Sequence, residues 1–189
     1  MESRGPDALR ADHFVYDHYP ETEIEMNDID PSLVKQPCLE TTLKFHVGGT
    51  RKVYYSDEEE PFPIGKLIVS RTDTQGIITH CNQAFVDMSG YTREELIGQP
   101  HHILRHPDVP AAAFADLWST IQAGRKWQGY VKNLRKNGGF YWVLAVVVPN
   151  FRDGKIVGYS SVRRPPSRQK IREAMELYDR LNAAAGVAS

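Results

Sequence analysis

Long hydrophobic runs are missing from this 189-residue sequence; the run at residues 143–148 is only strand-sized. A membrane helix needs ~20 consecutive apolar residues, so no spanning segment is expected. The opening Met1-Glu2-Ser3-Arg4-Gly5-Pro6-Asp7 has neither the basic head nor the apolar stretch of a secretory signal, which predicts a cytoplasmic protein. Cysteine is scarce: Cys38 and Cys81 make neither a disulfide framework nor a CxxC metal knuckle, and a reduced compartment fits them. Phosphate-cradling glycine loops are absent, since Gly48-Gly49 and Gly138-Gly139 read as turn glycines rather than part of a GxGxxG or P-loop. There is no nucleophile elbow, paired-carboxylate motif or Cys/His arrangement, so the sequence does not read as an enzyme.

What is present describes a globular protein: 41% hydrophobic, 10% aromatic and 25% charged residues. The length holds one full domain plus an extension, because a second domain would need on the order of 100 residues of its own. The formal charge of −1 hides an asymmetry, with 6 Lys and Arg against 14 Asp and Glu over residues 1–60, and 17 against 10 over residues 61–189. The positive charges are scattered and the acidic extension could cover them, so nucleic acid is not an expected partner.

Residues 1–40 mix prolines with an acidic stretch over 21–30 and read as a loosely ordered tail or one short helix. Residues 43–47 and 50–55 flank Gly48-Gly49 and predict a hairpin, and residues 57–63 a charged, Pro-stiffened linker. Strands are predicted at 67–70 and 77–81, joined by a turn at 73–76. Asn82 can cap a short helix carrying Phe85 and Met88, and Thr92-Arg93-Glu94-Glu95 is a capping box opening another. Phe114, Leu117, Trp118 and Ile121 recur at i, i+3, i+4, i+7, with Pro110 before and Gly124 after, predicting a helix over 111–123. Three antiparallel strands follow at 127–136, 140–149 and 156–163, joined by Asn137-Gly138 and Asp153-Gly154. The middle strand is apolar on both faces and needs cover on both: the short helices on one, and the predicted helix over 168–181 or the N-terminal extension on the other.

That order predicts an α+β fold with a five-stranded antiparallel sheet and short helices cupping a pocket, flanked by an N-terminal extension and a C-terminal helix. With Asn82-Gln83-Ala84-Phe85, Ser89-Gly90-Tyr91, Glu95-Leu96-Ile97-Gly98, Asn137-Gly138 and Tyr141-Trp142, it resembles the PAS domain over residues 66–164. Domain limits are expected at 1–60 for the extension, 61–165 for the PAS unit and 166–189 for the C-terminal helix and tail. Arg105-His106-Pro107-Asp108, then Ala113-Phe114-Ala115-Asp116-Leu117-Trp118 and Val131-Lys132-Asn133-Leu134, make it most similar to the flavin-binding PAS domain of bacterial aerotaxis receptors. The resemblance implies FAD, held through Asn82, Arg105, His106, Asp108, Trp118, Trp127, Asn133 and Trp142. It further implies a redox or oxygen sensor signalling through a protein partner or homodimer. The methyl-accepting domain and membrane anchor of those receptors do not appear in this sequence. Compared with light-sensing flavin PAS domains, His101 stands where their adduct-forming cysteine would be, and Val143 where a second ring-binding asparagine would be. Adduct photochemistry is therefore not expected.

The residues also have plainer readings. Trp127, Gly129, Val131 and Asn133 alternate onto one strand face, where the carboxamide can match an isoalloxazine edge or simply be a polar residue beside a core Trp. Arg105, His106 and Asp108 offer donors for a pyrophosphate and ribose, or Arg105 and Asp108 could pin the loop as a salt bridge. His101, His102 and His106 suggest metal only if helical, and Pro107 disfavours helix at His106; no metal is expected. Haem is not expected either, since residues 110–123 contain no histidine. Arg163, Arg164, Arg168, Lys170 and Arg172 read as a basic, solvated exit that could receive an acidic partner or the acidic N-terminal segment. The alternative to a flavin sensor is a ligand-free PAS module for dimerisation or docking.

Overall fold

A computed structural model describes residues 26–44 and 50–186. The expected tail over 1–40 lies largely outside these residues, as does the Gly48-Gly49 turn of the expected hairpin. The hairpin's strands are described: β1 (Leu39–Lys44) pairs antiparallel with β2 (Thr50–Tyr55) in register from Leu39 opposite Tyr55 to Lys44 opposite Thr50.

A second sheet forms the domain. Its strands are β3 (Ile68–Thr72), β4 (Ile78–Cys81), β5 (Trp127–Leu134), β6 (Phe140–Arg152) and β7 (Lys155–Arg164), in the order β4-β3-β7-β6-β5 with every neighbour antiparallel. Between β4 and β5 lie α1 (Gln83–Ser89), α2 (Arg93–Leu96), a 3-10 turn at His101–Leu104 and α3 (Ala111–Gln122); α4 (Arg168–Ala184) follows β7. This is the PAS architecture expected from the sequence. The β6–β7 hairpin runs three residues further than expected, to Arg152, because Asp153 (φ 51°) and Gly154 (φ 74°) both take the left-handed conformation that a two-residue hairpin turn requires.

Local capping is read directly from the chain. Thr92 and Glu95 form a reciprocal capping box on α2. Asn82 caps α1, its Oδ1 accepting from Phe85 N and Val69 N while its Nδ2 donates to Leu67 O. Its carboxamide therefore clamps helix to strand, and both ends of it are taken.

Strand alternation divides β6 between two cores. On the inner face, Tyr141, Val143, Ala145 and Val147 pack with Phe85, Met88, Leu96, Ile103, Leu104 and Ile121 from the helical segments. On the outer face, Phe140 and Trp142 pack with Ile171, Ala174 and Tyr178 of α4. Full burial of such side chains contributes about 1.5–3 kcal/mol each, which makes α4 part of the domain's packing rather than an appendage. Tyr178 OH also donates to Tyr130 O at 2.6 Å.

The β1–β2 hairpin builds a third core from Ile29, Val34, Leu43 and Val53 against Leu134 of β5. Arg51 of β2 is buried and donates to Asn27 O, Ile103 O and Tyr91 OH at 2.7–2.8 Å. No helix among the described residues is long and apolar enough to cross a membrane.

Candidate functional site

The inner sheet face and the helices enclose a cavity with about 840 Å³ of atom-free space, the solvent at its mouth included. Its helical wall comes from α3, whose 3.6-residue period sends Phe114, Leu117, Trp118 and Ile121 inward together. Its sheet wall comes from Val131 and Asn133 of β5, Ala145 and Val147 of β6, and Tyr159, Ser161 and Arg163 of β7. Register explains that set: Ala145 stands opposite Arg163 and Val147 opposite Ser161, so all point to one face. His101, His102 and Arg105 close the remaining side from the 3-10 turn and the loop after it.

Polar groups here are few and incompletely satisfied. Among the described residues, Arg105 Nε, Asn133 Nδ2, Ser161 Oγ and Arg163 Nη1 are buried without a hydrogen-bond partner. Such atoms are rare in folded proteins because each costs about 1–3 kcal/mol. Arg163 is the sharpest case. It is 3% exposed, no carboxylate pairs with it among the described residues, and its Nη2 donates to His101 Nε2 at 2.6 Å and Ser70 Oγ at 3.1 Å. Its guanidinium also lies 5.2 Å from the centroid of the Phe85 ring. Burial pulls Arg163 down to about 10, still charged at neutral pH. Since a guanidinium can only donate, His101 must accept through Nε2 and carry its proton on Nδ1. Burial, then the positive charge of Arg163, drives His101 down to about 3, so the imidazole is neutral.

The residues expected to hold a cofactor are split by the fold. Arg105, Trp118 and Asn133 line the cavity together. The other five do not line it. Asn82 is the helix clamp described above. His106 turns away from the cavity and sits edge-on between Tyr55 and Phe140, ring centroids 5.3 and 5.9 Å distant, where burial and then Lys132 hold it neutral at about 3. Asp108 is half-exposed and pairs with Lys132 Nζ at 2.7 Å instead of with Arg105. Trp142 is on the outer sheet face beneath α4, because position 142 has the opposite parity to Tyr141 and Val143. Trp127 is on the inner face but off the cavity wall, its Nε1 donating to Asp116 Oδ2 at 2.7 Å. Among the described residues no three His, Cys, Asp or Glu side chains gather as a metal site.

Arg163, Ser161 and Ser70 were missed by the sequence reading, which placed Arg163 in a solvated basic run. Alternation could have found it: Tyr159, Ser161 and Arg163 share a parity, and Arg164 takes the solvent side at the next position.

The site's chemistry can be stated from these groups. Opposed apolar walls, with unpaired donors from Arg105, Asn133 and Arg163 among the lining, suit a flat ligand with several acceptor oxygens or nitrogens. Those features fit a flavin ring.

Residues 78–163 match the family described as the PAS fold. Over 130 residues the chain is 49% identical to the aerotaxis receptor of Escherichia coli (strain K12), covering 69% of this chain and 26% of the receptor. Over 119 residues it is 27% identical to the nitrogen fixation regulatory protein of Klebsiella pneumoniae, covering 60% of this chain and 24% of that one. Among solved structures, the dark structure of the blue-light photoreceptor Aureochrome1 LOV superposes with a TM-score of 0.51 at 21% identity, covering 64% of this chain and 85% of that one, a likeness of fold. The chain spans about a quarter of the length of the curated relatives named here.

Proposed function

The chain carries a domain of the PAS family, and from that premise we propose that it is a cytoplasmic sensor that holds FAD in the inner cavity and reports the cofactor's redox state by conformational change. One observation carries the reading: four residues lining a largely apolar cavity hold buried polar atoms with no partner among the described residues. A ligand with matching acceptors and donors removes that cost. The 49% identity to an aerotaxis receptor supports a redox or oxygen input and a signalling output.

Flavin, when bound, supplies reversible electron acceptance. The chain's own residues supply binding and response. Arg163 offers a fixed positive charge with no carboxylate among the described residues to neutralise it, suited to stabilising negative charge that develops on a reduced ring. Asn133 presents a carboxamide that can exchange donor for acceptor by rotating about its side chain, so a proton gained on the ligand reverses its hydrogen bonding. Trp118, 5.6 Å from Tyr159 in an edge-on pair, gives an aromatic face to the ring. Arg105 offers its unpaired Nε to the pyrophosphate side. Movement at Arg105 is felt by its loop, where Asp108 O accepts from Asn182 of α4 at 3.0 Å, giving a route from cavity to the C-terminal helix and a bound protein or second copy.

Purification of the full chain tests this. The expected result is a yellow protein that releases FAD on heating, with Asn133→Ala and Arg163→Met lowering flavin content while the circular dichroism spectrum is kept. A colourless protein that takes up neither added FAD nor FMN would refute it and leave a ligand-free interaction module.

A further inference from the structure

We infer that Trp127 is a positioning residue whose indole N–H latches α3 to the sheet and so holds the helical wall of the cavity in place. Trp127 opens β5, on the strand face that looks toward α3. Its ring lies along the strand over Gly129: a Cβ built on Gly129 would meet Trp127 Cη2 at 2.3 Å and Cζ2 at 2.4 Å. No other residue type at 129 leaves the indole where it is. From that position Nε1 reaches Asp116 Oδ2 on α3 at 2.7 Å. Tryptophan has one donor and no acceptor. With that donor given to Asp116 and the ring off the cavity wall, Trp127 acts on a ligand only through α3.

The consequence follows from what flanks Asp116. Phe114, Leu117, Trp118 and Ile121 of the same helix form one wall of the cavity, and the other wall is the sheet on which Trp127 sits. The bond therefore joins the two walls at the edge of the core, from a buried indole to an exposed carboxylate. A short hydrogen bond to a carboxylate is among the stronger ones a protein makes, so its loss raises the open population of α3 roughly tenfold or more. Gly129, Trp127 and Asp116 thus act as one device, in which the glycine makes room, the indole spans and the carboxylate catches.

The experiment measures amide hydrogen exchange in the ligand-free full chain for wild type, Trp127→Phe, Asp116→Ala, Asp116→Asn and the Trp127→Phe/Asp116→Ala double variant. The expected result is roughly tenfold faster exchange along α3 in both Trp127→Phe and Asp116→Ala, a smaller rise in Asp116→Asn, which keeps an acceptor oxygen, and no further rise in the double variant. Exchange in β6 stays at the wild-type rate. Wild-type exchange of α3 in Trp127→Phe would overturn the inference, and so would effects that multiply in the double variant, since independent packing losses multiply and one shared bond does not. A second arm, resting on the flavin reading, follows FAD release by recovery of flavin fluorescence, which the same variants speed in the same order. A wild-type chain that binds no FAD would sink the flavin reading and leave the exchange arm to decide the latch.

Discussion

The Nε2 of His101 accepts a 2.6 Å hydrogen bond from Arg163 Nη2, and each residue fixes the other's state: burial, then the guanidinium, keeps the imidazole neutral, and the imidazole orients a charge that no acid among the described residues satisfies. On the proposed flavin reading, that charge would favour the reduced, more negative ring. Arg163→Met is expected to make the flavin potential roughly 30–60 mV more negative, the two-electron equivalent of losing one charged hydrogen bond. Arg163→Lys should recover part of the shift, because it restores the charge without the planar fork. Spectroelectrochemical titration reads both, and equal potentials in all three proteins would remove Arg163 from the proposed site.

Acid should destabilise the fold earlier than carboxylate protonation alone would explain. His101 and His106 are held down to about 3 and His102 to about 4, each chiefly by burial. Unfolded histidines take up protons near pH 6.5, so below that pH the unfolded chain binds more protons than the folded one. Stability is full above pH 6.5 and falls as the pH drops toward about 4, by up to about 1.4 kcal/mol per pH unit for each histidine. Urea midpoints between pH 7 and 4.5 give the slope, and His106→Gln should flatten it by one proton's share. A profile unchanged by that substitution would place His106 in water.

Much of the fold was legible because its signals are local. The Asn82 cap on Phe85 N, the Thr92–Glu95 capping box and the Asp153-Gly154 turn each act within four residues of themselves, and the α3 stripe repeats at intervals of three and four. The site was less legible because it is assembled by register. Arg105-His106-Pro107-Asp108 is a contiguous word that the fold sends three ways: Arg105 to the cavity, His106 to the hairpin, Asp108 to Lys132. Arg163 shows the reverse failure, a basic residue in a basic run whose burial depends on its being opposite Ala145 on β6 and Ile68 on β3. Trp142 could have been excluded from the pocket without a structure, since it alternates with Tyr141 and Val143.

That exclusion has a measurable form. Trp142 packs against Tyr178 of α4, ring centroids 5.8 Å apart, on the face of β6 away from the cavity. Trp142→Ala is expected to cost about 3–5 kcal/mol of stability by opening a cavity in the outer core. Its folded fraction should still bind FAD as the wild type does, whereas Trp118→Ala should weaken FAD binding with a smaller stability loss. Urea unfolding paired with FAD titration separates the two, and a Trp142→Ala protein that folds but loses FAD would put the outer core into the binding site.

Asn82→Ala tests the same distinction at the other end of the sheet. Three hydrogen bonds through one carboxamide join β3 to α1, and losing them is expected to cost about 2 kcal/mol, the upper range for an N-cap. Because neither end of that amide is free, the flavin absorption bands should keep their positions. A shifted band with unchanged stability would mean that Asn82 touches the ring.

Arg51 addresses whether the N-terminal hairpin is part of the domain. Its guanidinium is 2% exposed and reaches Ile103 O and Tyr91 OH, on the segments that follow α1 and α2, while Nε holds Asn27 O. All three acceptors are neutral, so the arginine serves as a bolt of fixed donors rather than as a salt bridge. Arg51→Met keeps most of the apolar stem but leaves the buried Ile103 carbonyl and Tyr91 hydroxyl, and the partly buried Asn27 carbonyl, without their donor, a loss of about 2–4 kcal/mol. If the hairpin opens as its own unit, that loss appears as faster amide exchange in β1 and β2 with β6 still protected. If hairpin and sheet unfold together, exchange rises equally in β2 and β6 and the thermal midpoint falls as one transition. The third core favours the second outcome: Leu134 of β5 lies within it, and the 2.9 Å bond from Ser56 N to Gly138 O ties β2 to the β5–β6 turn. Equal exchange is therefore the expected result, and selective opening of β1 and β2 would show that the hairpin is an attachment.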